Sequence, residues 1–173
     1  HPCQILADLL TVMETRGGPA GLTLAYLGDG ANNMAHSYLL GCALAGMHVR
    51  VGTPASHPPR ADVVARAQVL AAQAGGSVVV TDDPVAAVAA ADVVATDTWV
   101  SMGQEAESDL RKGAASPFEP FRVTAPLMAH AAADAVFLHC LPAYRGHEVD
   151  AEVIDGPASV VWQEAENRLH VQK

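Results

Sequence analysis

The sequence predicts an α/β domain: a doubly wound, mainly parallel sheet with helices on both faces. Strand-like segments alternate with helical ones along the chain, and the strand-like segments are continuous apolar runs. A strand buried on both faces has no solvent side to keep polar, so unbroken Val, Leu and Ala runs belong to a parallel sheet covered by helices. The length of 173 residues favours one compact domain over 1–173 with a sizeable core. With only 3 Phe, 3 Tyr and 2 Trp, that core is built mainly from Ala, Val and Leu.

Residues 1–16 carry Ile5, Leu6, Leu9, Leu10, Val12 and Met13 at helical spacing, and Gly17, Gly18 and Pro19 stop the helix. "LTLAYLGDG" is a strand running into a turn, "NNMAHSYLLGCALAG" a helix and "HVRVGTP" the next strand. "ADVVARAQVLAAQAGG" is a helix ended by glycines, "SVVVTD" a strand, "PVAAVAAA" a short helix and "DVVATDTW" a strand. From Trp99 to Phe121 the regular pattern lapses; so long an irregular stretch inside a compact domain is usually a functional loop. "TAPLMAHAA" is a helix, "AVFLHCL" the last strong strand, and "ASVVWQEAENRLHVQK" begins extended and becomes helical.

The formal charge is −9 and no basic patch is visible, which excludes nucleic acid and anionic membranes as expected partners. No stretch is long and uncharged enough to span a bilayer. Cys3, Cys42 and Cys140 form no C-x-x-C pair, which fits a reducing, intracellular and hence cytoplasmic home better than a disulfide framework. The eight His include no H-x-x-x-H pair and no clustered Cys/His spacing, so no metal ligands are expected.

In an open parallel sheet, ligands bind beyond the carboxyl ends of the strands. Three strand ends carry unusual polar sequence: "GDGANN" (28–33), "DTWVSMGQE" (97–105) and "HCLP" (139–142), and "HPCQ" opens the first helix. Each has a plain structural reading. Gly28 and Gly30 form a tight turn and an Asn caps the helix. "GDGANN" departs from G-x-G-x-x-G because Asn33 replaces the third Gly, yet it lies in a first βα turn where a nucleotide could bind. Two consecutive amides exceed what one cap needs, so Asn33 is a candidate ligand contact. Asp97 alone would cap a turn, Ser101 and Met102 would be loop residues, and Met34, Met47 and Met128 core filler. Cys140 alone is more often a small buried hydrophobe than a nucleophile. His139 and Cys140 are adjacent on a strand and face opposite sides, so they form no catalytic pair.

Together the motifs are more specific than any one. "HPCQ", "GDGANNMAHS", "DTWVSMGQE", "FLHCLPAYRG" and "EAENRLH", in this order, closely resemble the ornithine carbamoyltransferases in their anabolic bacterial form. The resemblance implies a Rossmann-like, L-ornithine-binding domain that opens at the interdomain helix, with a carbamoyl-phosphate-binding domain and its Ser-x-Arg-Thr motif outside these residues. The chain has only 10 Lys plus Arg and none near His1, consistent with the phosphate-binding cations lying elsewhere. By resemblance, the reaction is carbamoyl phosphate plus L-ornithine giving L-citrulline plus phosphate in arginine biosynthesis, with no cofactor, in a homotrimer. His1 and Gln4 would contact the carbamoyl group, Asn33 the amino-acid end of ornithine, and Asp97 and Ser101 its α-amino group, with Met102 in the same closing loop. Cys140 would lie near the attacking amine and help to take or relay its proton, Leu141 and Pro142 would shape the carbamoyl side, and Arg168 would contact carbamoyl phosphate. The catalytic set is then Cys140, His1 and Asp97. Two alternatives stay open: a carbamoyltransferase for a modified ornithine or a diamine, and a non-catalytic nucleotide-binding module.

Overall fold

The computed structural model describes residues 2–100, 111 and 115–173. Helix α1 (Pro2–Arg16) is followed by β1 (Thr23–Leu27), α2 (Asn33–Leu44), β2 (His48–Gly52), α3 (Ala61–Ala74), β3 (Ser77–Thr81), α4 (Pro84–Val88) and β4 (Val93–Thr96). A 3-10 turn (Glu119–Phe121), α5 (Ala125–Met128), β5 (Val136–His139), α6 (Ala151–Ile154) and α7 (Val161–His170) complete the order. The five strands pair in parallel in the order β3-β2-β1-β4-β5.

Side-chain alternation divides the core. Leu24 and Tyr26 of β1, Val93 and Ala95 of β4 and Leu138 of β5 face a layer holding Ile5, Met34, Tyr38 and Ala67 of α1, α2 and α3. Ala25, Leu27, Val94 and Phe137 face the opposite layer, with Val88, Phe121, Leu127 and Ile154. The central strands are therefore covered on both faces, as their continuous apolar runs require, whereas the edge strand β3 leaves Val79 and Val80 exposed despite its apolar run. Helix α7 lies on α1, where Asn167 Nδ2 donates to Thr11 Oγ1 at 2.9 Å.

Some boundaries differ from the sequence expectation. The helix expected over "TAPLMAHAA" is only Ala125–Met128. Beyond it the backbone turns to meet the α4–β4 connection: Ala90 N–H donates to His130 O at 2.8 Å and Ala132 N–H to Ala91 O at 3.0 Å. Good helix formers are thus overridden by a tertiary pairing of backbone groups. The same connection stops α4 at Val88, three residues before the end of the expected helix at Ala91. The carboxyl-terminal segment behaves as expected, with an extended contact of Ser159 beside Phe137 before α7 begins.

The strand order positions the site. From β1 the chain proceeds outward through β2 to β3, then crosses back to lay β4 on the other side of β1. At such a switch point the two connections leave in opposite directions and open a crevice at the carboxyl ends of the strands. The residues after β1, after β4 and after β5 surround that crevice.

Candidate functional site

The turn after β1 is held from within. Gly28 has φ +125, which disfavours a side chain, and a Cβ on Gly30 would stand 2.8 Å from His57 O. Asn32 is the N-cap of α2: its Oδ1 accepts from Ala35 N at 2.8 Å. Its Nδ2 donates to the Tyr26 hydroxyl at 2.9 Å and toward Asp97 Oδ2 at 3.4 Å. The turn amides are used locally: Gly30 N–H donates to Thr53 Oγ1, Ala31 N–H to Asp29 Oδ1 and Asn32 N–H to Asp29 O. Buried Asp29 is paired with Arg111 at 2.7 Å. A carboxylate at the centre and amides already spent are unsuited to cradling a phosphate, so the local chemistry does not favour the nucleotide alternative.

Asp97 follows β4, and Cys140 follows β5. The Cys140 thiol donates to Asp97 Oδ1 at 3.2 Å, and the same oxygen accepts from Thr98 N at 2.7 Å. Burial raises the Asp97 carboxyl. Burial foremost, and then the Asp97 carboxylate, push the Cys140 thiol far up, so the sulfur keeps its proton at neutral pH. Cys140 is therefore poorly suited to be a covalent nucleophile. His139 points away from it, as strand geometry requires. His139 Nδ1 accepts from Leu141 N at 2.9 Å, so Nε2 carries the hydrogen and faces Glu148 Oε1 at 3.3 Å. Glu148 Oε1 also accepts from Tyr144 N at 2.6 Å. This buried pair holds the turn in which Leu141 adopts φ +53 and the Leu141–Pro142 peptide is cis.

The third wall comes from α1 and α7. Gln4 and Asp8 stand one turn apart on α1, and Glu164 and Arg168 one turn apart on α7. Gln4 Nε2 donates to Asp8 Oδ1 at 2.7 Å and to Glu164 Oε1 at 2.9 Å, while Arg168 Nη1 donates to Gln4 Oε1 at 2.8 Å. Glu164 Oε2 accepts from His139 N at 2.8 Å, which ties α7 to the end of β5. Burial raises both the Asp8 and the Glu164 carboxyl.

The three walls border a cavity of about 400 Å³. Of the residues expected from sequence, Gln4, Asp97, Cys140, Leu141, Pro142 and Arg168 line it together. Asn33, the first residue of α2, is exposed and is not among the lining residues, whereas Asn32 reaches Asp97. His1, Ser101 and Met102 lie outside the described residues. Met34, expected as core filler, is buried in the core and also lines the cavity, as do Thr98, Val100 and Tyr144. Asp8, Glu148 and Glu164 were missed; a carboxylate one helical turn from Gln4 or Arg168 was the available signal for two of them. One carboxylate, one guanidinium, one amide and one thiol in a small, mostly apolar space suit a small molecule bearing both an ammonium and an anionic group. Among the described residues no group of His, Cys, Asp and Glu could hold a metal ion, and no helix is long and apolar enough to cross a membrane.

Comparison with known proteins decides the kinship. Residues 20–173 match the family model of the aspartate/ornithine carbamoyltransferase Asp/Orn binding domain. The chain belongs to this carbamoyltransferase family. The whole chain is 64% identical to the ornithine carbamoyltransferase of Clavibacter sepedonicus, and 63% identical to that of Renibacterium salmoninarum. Its fold is similar to the ornithine carbamoyltransferase from Pyrococcus furiosus, with a TM-score of 0.92 and 49% identity over 99% of this chain. The chain covers 55% of each of the two bacterial relatives and 54% of the Pyrococcus chain, so it spans about half the length of these carbamoyltransferases. The doubly wound, mainly parallel sheet expected from sequence is a five-stranded parallel sheet with the α/β fold of these structures, and residues from each of the quoted motifs line its switch-point cavity.

Proposed function

We propose that residues 1–173 form the L-ornithine-binding half of an ornithine carbamoyltransferase, which converts carbamoyl phosphate and L-ornithine to L-citrulline and phosphate. The observation that carries this reading is the Asp97–Cys140 contact of 3.2 Å inside the switch-point cavity, with Gln4 and Arg168 on the facing wall. The complete protein would have a second, carbamoyl-phosphate-binding domain, act in arginine biosynthesis in the cytoplasm and assemble as a homotrimer.

In the reaction the ornithine δ-nitrogen, as the free amine, forms a bond to the carbamoyl carbon and gives up a proton, which the departing phosphate takes. The carbonyl oxygen takes the negative charge, and the bond from carbon to phosphate oxygen then breaks. Asp97 Oδ2, whose only hydrogen-bond contact among the described residues is the long one from Asn32, is the oxygen that would meet the substrate's α-ammonium; Ser101, with Met102, would assist. Cys140 keeps its proton on Asp97 and can accept a hydrogen bond from the amine, which orients the nitrogen lone pair. That orienting role replaces the proton relay expected by resemblance, because a thiol raised by burial and by a neighbouring carboxylate does not readily ionise. Gln4 and Arg168, with His1, would hold carbamoyl phosphate, and Leu141 and Pro142 shape that side. Free ornithine, with its α-ammonium, gives Asp97 a partner that a simple diamine does not.

The test is citrulline formation by the purified chain alone, by the chain mixed with an amino-terminal domain, and by the two-domain protein, with ornithine, N-acetylornithine and putrescine as competing acceptors. The expected result is turnover only when both halves are present and only with ornithine. Two substrates held together account for roughly 7–11 kcal/mol of barrier lowering, which one half lacks. Full turnover by the chain alone, or preference for another acceptor, would refute the reading.

A further inference from the structure

The orientation of the Gln4 side-chain amide is settled by its neighbours. Arg168 can only donate, so the atom 2.8 Å from its Nη1 is the amide oxygen. The nitrogen is then the atom between Asp8 Oδ1 and Glu164 Oε1, and both of its hydrogens are used there. Asp8 and Glu164 do not line the cavity, whereas Gln4 and Arg168 do. Gln4 therefore presents its carbonyl oxygen, an acceptor, to the bound ligand and withholds its N–H donors. All three members of the lock are buried, at 4%, 1% and 0% exposure for Gln4, Asp8 and Glu164.

We propose that Asp8 and Glu164 are positioning residues that fix Gln4 as an acceptor and thereby make the site choose an acyl phosphate carrying an amino group over one carrying a methyl group. The inference rests on the carbamoyl phosphate reading above and adds to it the basis of donor choice. Carbamoyl phosphate offers the Gln4 oxygen an N–H. Acetyl phosphate, with the same carbonyl and phosphate, offers a methyl group and leaves that buried oxygen one partner short.

The two carboxylates differ in a way that a purely structural role would not reveal. Both oxygens of Glu164 face donors, Gln4 Nε2 and His139 N. An amide at position 164 must turn its own NH2 toward one of them; because the His139 N–H is backbone, Gln4 is the partner displaced. Asp8 uses Oδ1 for Gln4, and its buried Oδ2 makes no well-formed hydrogen bond among the described residues, with only the Tyr38 hydroxyl, itself able to accept, beside the carboxyl. An amide at position 8 can place its NH2 there and keep the acceptor Gln4 needs.

The experiment measures binding of carbamoyl phosphate and of acetyl phosphate to the two-domain protein by calorimetry, in wild type, Glu164→Gln and Asp8→Asn, with thermal unfolding as a check on folding. In Glu164→Gln the preference for carbamoyl phosphate should fall about tenfold, the worth of one hydrogen bond. In Asp8→Asn it should be retained within about threefold. An unchanged preference in folded Glu164→Gln, or an equal loss in both variants, overturns the proposal. Neutron diffraction of the wild-type protein supplies an arm independent of any ligand: both Gln4 amide deuterons should point at Asp8 and Glu164, and deuterons aimed into the cavity overturn the inference. Wild-type protein that fails to bind carbamoyl phosphate rejects the carbamoyltransferase reading instead, and the neutron result still judges the amide.

Discussion

Replacing Asp97 by Asn in the two-domain protein isolates one substrate contact. Asp97 Oδ1 holds Thr98 N–H at 2.7 Å and the Cys140 thiol at 3.2 Å, so the substituted side chain keeps its oxygen there. Its NH2 then takes the place of Oδ2, which among the described residues only Asn32 approaches, at 3.4 Å. An ammonium arriving at that position meets a neutral donor in place of a carboxylate. The lost charge-assisted hydrogen bond is worth about 1.5–3 kcal/mol, so the ornithine KM should rise roughly ten- to a hundredfold. Carbamoyl phosphate binding depends on the facing wall and should stay within about twofold. Folding should survive, because the substitution removes a carboxyl whose ionisation burial already opposes. Steady-state kinetics with ornithine varied at saturating carbamoyl phosphate measures the first effect, and calorimetry the second. An ornithine KM within twofold of wild type in a folded variant would reduce Asp97 to a turn cap. An equal loss of carbamoyl phosphate affinity would show that the two walls do not act separately.

Three further outcomes follow from the same geometry. Exposed Cys3 should react with iodoacetamide at pH 8 well before Cys140, whose thiol is raised by burial and by Asp97; mass spectrometry showing Cys140 alkylated as fast as Cys3 would contradict this. Glu148→Leu strands the part-buried Tyr144 N–H and the buried His139 Nε2–H and should destabilise the fold by roughly 2–4 kcal/mol in urea unfolding. Glu148→Gln can keep its oxygen in place and put its NH2 at the unpartnered Oε2 position, so it should lose far less, and equal losses would refute the assigned contacts. Burial raises the Asp8 carboxyl from its ordinary 3.8 to about 6, so the folded chain holds a proton that the unfolded chain releases between those values. The stability from this group is complete below about pH 4 and is lost as pH rises toward about 6. The melting temperature of wild type relative to Asp8→Asn should accordingly fall across that window; parallel curves would contradict it.

Local periodicity carries the parts of this protein that depend on near neighbours in the chain. Continuous apolar runs such as "LAYL" and "AVFL" announce strands buried on both faces, and the polar residues that follow them mark the strand ends where a ligand binds. Asp97, Cys140, Gln4 and Arg168 were legible on that basis and by motif, as was the opposite facing of His139 and Cys140. Tertiary structure alone decided what depends on residues far apart. The return of β4 to the side of β1 brings Asn32 to Asp97, 65 residues away. The pairing of β4 with β5 brings Cys140 to Asp97 across 43 residues. The phase of α2 made Asn32, rather than Asn33, the cap that reaches Asp97. The packing of α7 on α1 joined Gln4 to Glu164, 160 residues apart, and so set which face of an amide the cavity receives. Periodicity reports which side of an element is apolar, but strand order and helix pairing arise from long-range packing, and hydrogen-bond direction at a buried amide is set only when its donors and acceptors have been brought together.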